Sequence, residues 1–123
     1  MNALGIHVIL ELRECNPALL NDYAFVRSTM IDAANSLGAT IIGESFHRFQ
    51  PIGITGVVAI AESHLSIHTW PEYRYAAADI FTCGTSVSPR EAANLLIHRF
   101  QCKDPDITEL ERGKLAVLAT ADR

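Results

Sequence analysis

Residues 62–73 read ESHLSIHTWPEY, which sets a Glu-Ser pair, two histidines, a tryptophan and a second glutamate within twelve positions. His64 and His68 are four apart. On a helix that spacing would put both imidazoles on one face, close enough to share an ion. On a strand the same four residues span about 13 Å, too far for one metal. Val57-Val58 upstream, Ile67 and Thr69 within, and the boundaries at Gly56 and Pro71 favour a strand, so no metal site is expected. Nucleophilic chemistry is the other reading. A serine hydrolase needs a base, an orienting acid and an oxyanion hole. Ser63 is flanked by Glu62 and His64, without the GxSxG pattern of a nucleophile elbow. Residue by residue, Ser63 reads as a turn or cap residue and a lone histidine as a hydrogen-bonded core side chain. Cys83 reads as a small buried apolar group. His7, His47, His64, Ser66 and His98 keep these plain readings.

The elements that would position these residues follow from periodicity. Leu4, Ile6, Val8, Leu10 and Leu12 share one parity, the pattern of a half-buried strand. Asn16-Pro17 is a helix start, and Asn21 or Asp22 can restart it. Val26, Met30, Ala33, Ala34 and Leu37 then recur at helical spacing before Gly38. Four β-rich segments follow, ATIIGESFHRF, ITGVVAIA, HLSIHTW and YAAADIFTC, punctuated by Pro51, Gly53, Pro71 and Gly84. Ser88-Pro89 caps a second long helix running to about Phe100. DITELER reads as a last strand, and GKLAVLATADR as a weakly specified tail. The order β-α-ββββ-α-β predicts an α+β two-layer sandwich, a mainly antiparallel sheet with two helices on one face.

The totals narrow the class. The chain has 123 residues, which fits a single domain over 1–123. Ten basic and fourteen acidic residues give a net charge of −4 without a Lys/Arg cluster, which argues against a nucleic-acid surface. No apolar run approaches the roughly 20 residues of a membrane span, and the N-terminus lacks a signal-peptide pattern. Cys15, Cys83 and Cys102 have no CxxC spacing and suit a reducing compartment better than a disulfide framework. These features predict a cytoplasmic protein that contacts neither membrane nor nucleic acid.

The run from Ser45 to Gly84, SFHRFQPIGITGVVAIAESHLSIHTWPEYRYAAADIFTCG, closely resembles the prokaryotic S-adenosylmethionine decarboxylases. The resemblance covers about residues 4–112, with LGIHVILELREC and LGAT matching upstream. Its most specific motifs are ESHLSIHTWPEY and DIFTCG.

That resemblance implies a self-processing proenzyme. Ser63 would attack the carbonyl of Glu62, and the chain would break into 1–62 and 63–123, the second fragment headed by a pyruvoyl group made from Ser63. The ketone would form a Schiff base with the substrate α-amine and let carbon dioxide leave. His68 matches the family's proton-transfer base. Thr55 stands where the family usually has serine and would assist processing. Cys83 matches the donor that protonates the product carbon; a thiol with a reference pKa near 8.5 is mostly protonated at neutral pH.

For substrate binding the resemblance implies an aromatic at Phe49 for the adenine or the sulfonium cation, pocket walls from Leu65 and Trp70, and ribose contacts from Glu72. It also implies a homodimer, no metal, and a product that donates aminopropyl groups for spermidine and polyamine synthesis. One departure stands out. The family usually reads PEYGY where this chain reads PEYRY, so Arg74 is expected either to pair with Glu72 at the surface or to alter the pocket's charge. Two alternatives stay open: the same chemistry on ornithine or arginine, and a non-catalytic ligand-binding module. Simple alternation also puts His68 and Ser63 on opposite faces of one strand, so the two meet only if a turn or bulge breaks that parity.

Overall fold

The computed structural model describes residues 3–38, 40–83 and 88–117. Six strands form one sheet: β1 (Gly5–Arg13), β2 (Ile41–Arg48), β3 (Ile54–Ile60), β4 (Ser63–Trp70), β5 (Tyr75–Cys83) and β6 (Asp104–Arg112). Their spatial order is β2-β3-β4-β5-β1-β6, and every neighbouring pair is antiparallel. The helices are α1 (Pro17–Leu20), α2 (Tyr23–Ser36) and α3 (Pro89–Arg99). This is the expected α+β architecture, with α1 as a short additional turn where Asn21 and Asp22 were read as a restart.

The helix starts follow from capping. Asn16 Oδ1 accepts from the Ala18 N–H at 3.0 Å, and Pro17 occupies the first turn, where its missing N–H costs nothing. Asp22 Oδ1 accepts from the Phe25 N–H at 3.0 Å and opens α2. Ser88 Oγ accepts from the Arg90 N–H at 3.2 Å and opens α3 just ahead of Pro89.

One face of the sheet carries the core. Val8, Leu10 and Leu12 of β1, Ile54, Val58 and Ile60 of β3, Leu65 and Ile67 of β4, and Ala78 and Ile80 of β5 are buried. They pack with Val26, Met30, Ala33, Leu96 and Phe100 from the helical layer. Each large aliphatic side chain removed from water contributes roughly 1.5–3 kcal/mol. Thr69 ties the layers together: its buried Oγ1 donates to the Leu20 carbonyl and accepts from the Ile54 N–H, both at 2.9 Å.

Alternation sends the intervening residues to the opposite face, which none of α1, α2 and α3 covers among the described residues. From β4 these are His64, Ser66, His68 and Trp70; from β5, Tyr75, Ala77, Asp79, Phe81 and Cys83. β3 pairs with β4 and β4 with β5 in unbroken register along this stretch. Parity from Ser63 to Trp70 is therefore intact. The DIFTCG motif is described only to Cys83, and the tail only to residue 117; the remainder of each lies outside the described residues.

Candidate active site

The turn between β3 and β4 consists of Ala61 and Glu62, since Ile60 pairs directly with Ser63. A two-residue hairpin turn matches the sheet's twist best when its residues take positive φ, and Glu62 does so at 61°. An L-residue in that region carries a strain of about 1–2 kcal/mol, here at the residue preceding Ser63. The Ser63 Oγ accepts a 3.2 Å hydrogen bond from the backbone N–H of Cys83 on β5. The proposed nucleophile and the proposed thiol donor are thus held together at one end of the sheet.

A second group forms at the other end. His68 Nδ1 and Thr55 Oγ1 share a 3.0 Å hydrogen bond, because β3 and β4 pair these two residues directly. Both line a cleft of about 320 Å³ whose walls include Phe49, Trp70 and Glu72. Trp70 is 40 % exposed and Phe49 47 % exposed, so each presents ring surface to a ligand. Trp70 is itself stacked on Tyr75, with ring centroids 5.5 Å apart and planes 29° from parallel.

Five steps along one continuous strand separate Ser63 from His68. At about 3.3 Å per residue, His68 lies roughly 16 Å along β4 from Ser63. Within one chain they do not meet.

Comparison with known proteins gives the family. The family model for S-adenosylmethionine decarboxylase matches residues 6–113. The chain belongs to the S-adenosylmethionine decarboxylase family. It is 54 % identical over 113 residues to the S-adenosylmethionine decarboxylase proenzyme of Thermodesulfovibrio yellowstonii, covering 92 % of this chain and 84 % of that one. Against the proenzyme of the same name from Prochlorococcus marinus it is 49 % identical over 120 residues, with 98 % and 96 % covered. Among solved structures, adenosylmethionine decarboxylase from Aquifex aeolicus superposes with a TM-score of 0.87 at 32 % identity, covering 94 % of this chain and 95 % of that one.

With the family in place, the structure sorts the expected site residues into three sets. Glu62, Ser63 and Cys83 share one end of the sheet, and Phe49, Thr55, His68, Trp70 and Glu72 share the cleft at the other. Leu65 belongs to neither. It is fully buried against the helical layer, on the opposite side of β4 from Trp70, because its parity is that of the core. Leu65 as a pocket wall beside Trp70 is therefore corrected.

Arg74 also departs from expectation. Its φ of 55° places it in the left-handed region at the end of the 71–73 turn. The side chain lines a separate cleft, with Glu14 and Lys103. Among the described residues no ion pair joins it to Glu72, so the surface pairing expected from PEYRY is not formed.

The sequence reading missed Asp79. On the open face its carboxylate gathers three side chains that had been read as unremarkable. His7 Nε2 lies 2.6 Å and His64 Nε2 3.4 Å from Asp79 Oδ2, while Ser66 Oγ donates to Oδ1. Burial disfavours the charged carboxylate, but these hydrogen bonds outweigh it and hold Asp79 below its ordinary pKa. His7, His64 and Asp79 could hold a metal by distance. However, Arg112 Nη1 sits 2.9 Å from His7 Nδ1, where a guanidinium can only donate. That leaves the His7 proton on Nε2, facing Asp79, so the arrangement reads as a hydrogen-bonded network. A metal-bound histidine normally donates its second N–H to an acceptor. The signal available in the sequence was a lone acid in YAAADIFTC on the same parity as Cys83.

Proposed function

We propose that this chain is a self-processing proenzyme that decarboxylates S-adenosylmethionine, supplying an aminopropyl donor for polyamine synthesis. The observation that carries the proposal is the strained Glu62–Ser63 junction, with the Ser63 hydroxyl held on Cys83, in a chain of this family. In processing, Ser63 Oγ attacks the Glu62 carbonyl carbon, the peptide C–N bond breaks, and the Oγ proton passes to the freed nitrogen. A base removes the Cα proton of residue 63, the Cα=Cβ bond forms as the Cβ–Oγ bond breaks, and Glu62 leaves as a C-terminal carboxylate carrying that oxygen. Hydrolysis of the remaining dehydroalanine releases ammonia and leaves a pyruvoyl group at residue 63. The turn fits this sequence of steps, since a tight exposed hairpin holds the scissile carbonyl beside its own nucleophile, and proximity of that kind lowers a barrier by several kcal/mol.

A pyruvoyl ketone at residue 63 would supply the electron sink for decarboxylation. Cys83 then donates the proton that replaces carbon dioxide on the substrate carbon. Phe49 and Trp70 offer ring faces to adenine and to the sulfonium cation, an attraction of roughly 0.5–2 kcal/mol. Glu72 accepts hydrogen bonds from the ribose hydroxyls.

The separation along β4 supports a base supplied by a second copy. His68 and Thr55 of one protomer are too far from its own Ser63, and the helix-free face of the sheet is open for pairing. Ile9 and Val57 on that face are 36 % and 39 % exposed. We infer a homodimer in which the His68–Thr55 end of each sheet faces the Ser63–Cys83 end of the other, so that each site draws on both copies. No described helix is long and apolar enough to cross a membrane.

The test is intact mass on purified protein, followed by decarboxylation assays. The proposal expects two fragments breaking between Glu62 and Ser63, the second lacking a free amine and reacting with hydrazine. It also expects carbon dioxide release from S-adenosylmethionine in preference to ornithine or arginine. A chain that stays intact, or a cleaved protein without a reactive carbonyl, overturns it.

A further inference from the structure

A second cleft of about 330 Å³ opens where β1 ends and β5 and β6 begin, walled by Glu14, Cys15, Asn16, Arg74, Gln101 and Lys103. Its two cationic side chains are unpaired among the described residues. Arg13, Arg27 and Arg99 are each paired with carboxylates, whereas neither the Arg74 guanidinium nor the Lys103 ammonium has an ion pair or side-chain hydrogen bond among the described residues. Glu14 lines the same cleft and lies beyond ion-pair distance of both. Gln101 accepts from Asn16 Nδ2 through its carbonyl oxygen at 3.1 Å, leaving its NH2 group able to donate.

The backbone holds these groups firmly. Cys15 N–H donates to the Arg74 carbonyl at 2.9 Å, Asn16 N–H to Phe100 at 3.0 Å, and Lys103 N–H to Glu14 at 3.3 Å. Three strands and two turns are thereby fixed around the opening. Arg74 also occupies a left-handed conformation that glycine adopts without strain, so its side chain is present at a position whose backbone would favour none.

We propose that this cleft binds a small oxyanion, a carboxylate or phosphate group held by Arg74, Lys103 and the Gln101 amide. Arg74 would supply the bidentate fork suited to either group and Lys103 a point charge. The site is distinct from the Phe49–Glu72 cleft and does not depend on the decarboxylase reading.

The test titrates the full-length protein with inorganic phosphate and, separately, with glutarate, following backbone amide NMR shifts at constant ionic strength made up with chloride. Saturable binding of one or both ligands is expected, with shifts centred on residues 13–16, 74 and 101–103, and the tighter ligand identifies which oxyanion the site prefers. Arg74→Gly removes the guanidinium while relaxing the backbone, so it should melt no lower than the parent yet bind about tenfold more weakly. Lys103→Gln should weaken binding likewise, and Glu14→Gln should tighten it by removing a like charge. Failure of both ligands to saturate, or an Arg74→Gly protein that binds as well as the parent, would overturn the proposal.

Discussion

The backbone N–H of Cys83 donates to the Ser63 hydroxyl across β4 and β5 at 3.2 Å, so the residue proposed to break the chain and the one proposed to finish each turnover are neighbours. They should separate cleanly by mutation. Ser63→Ala is expected to leave an intact chain by mass spectrometry. Cys83→Ala keeps its backbone N–H, so it should still cleave, while kcat falls by about 10²–10⁴-fold from loss of the proton donor. A Ser63→Ala protein that still splits removes the assignment.

Because His68 lies roughly 16 Å from Ser63 on the same strand, subunit mixing should rescue activity. Neither Ser63→Ala nor His68→Ala alone should be active. Co-expressed in equal amounts, half of the dimers would be mixed, and each mixed dimer would assemble one intact site of two. Activity should therefore return to about one quarter of the parent's. Inactivity of the mixture would mean that each site is built within one copy.

Asp79 predicts an acid dependence. Its folded pKa is depressed by Ser66, His7 and His64 against the opposing effect of burial. A depressed carboxylate contributes stability that is fully present above the unfolded pKa of about 3.9 and is lost as pH falls through the lower folded value. Asp79→Asn should lower stability at neutral pH by about 1–3 kcal/mol and flatten the decline in melting temperature below pH 4. Equal declines in parent and variant would contradict this network.

Gly56 tests the packing under the cleft. A Cβ there, on the strand that carries Thr55, would collide with the Phe46 ring. Gly56→Ala should destabilise by about 1–3 kcal/mol as Phe46 is displaced, read as a lower denaturation midpoint. An unchanged midpoint would show that Phe46 turns aside freely.

The cysteines should differ in reactivity. Burial first, and then the neighbouring Cys102 thiol, push Cys15 up to about 12, while Cys83 is exposed. Iodoacetamide at neutral pH should label Cys83 well before Cys15, as peptide mass mapping would show. Reversed labelling would place Cys15 in a more open environment than the fold provides.

Much of the architecture was legible because it is written in local patterns. Asn16, Asp22 and Ser88 mark helix starts through hydrogen bonds to N–H groups two or three residues ahead, and the alternation in β1 and β5 fixes which residues enter the core. The chemical motif was legible through the unusual run from Glu62 to Tyr73. Local patterns had less to say about partners across the sheet. Asp79 looked like an isolated acid because the residues that hold it, His7 and His64, are 72 and 15 positions away.

The amino-acid sequence by itself determined the element order, the two layers, and which side chains could carry the chemistry, since propensity, capping and period act over a few residues. It also contained the fact that misplaced Leu65, whose parity with Ile67 marks it for the core. Only the tertiary structure decided how the residues group. Strand register brings Ser63 to Cys83 and Thr55 to His68, yet a rigid strand rising about 3.3 Å per residue keeps those pairs apart. Likewise, only the backbone contacts of the 71–74 turn decided that Arg74 shares a cleft with Glu14 and Lys103. Distances along an extended strand do not shrink on folding, so a site that needs both ends must be completed by another surface.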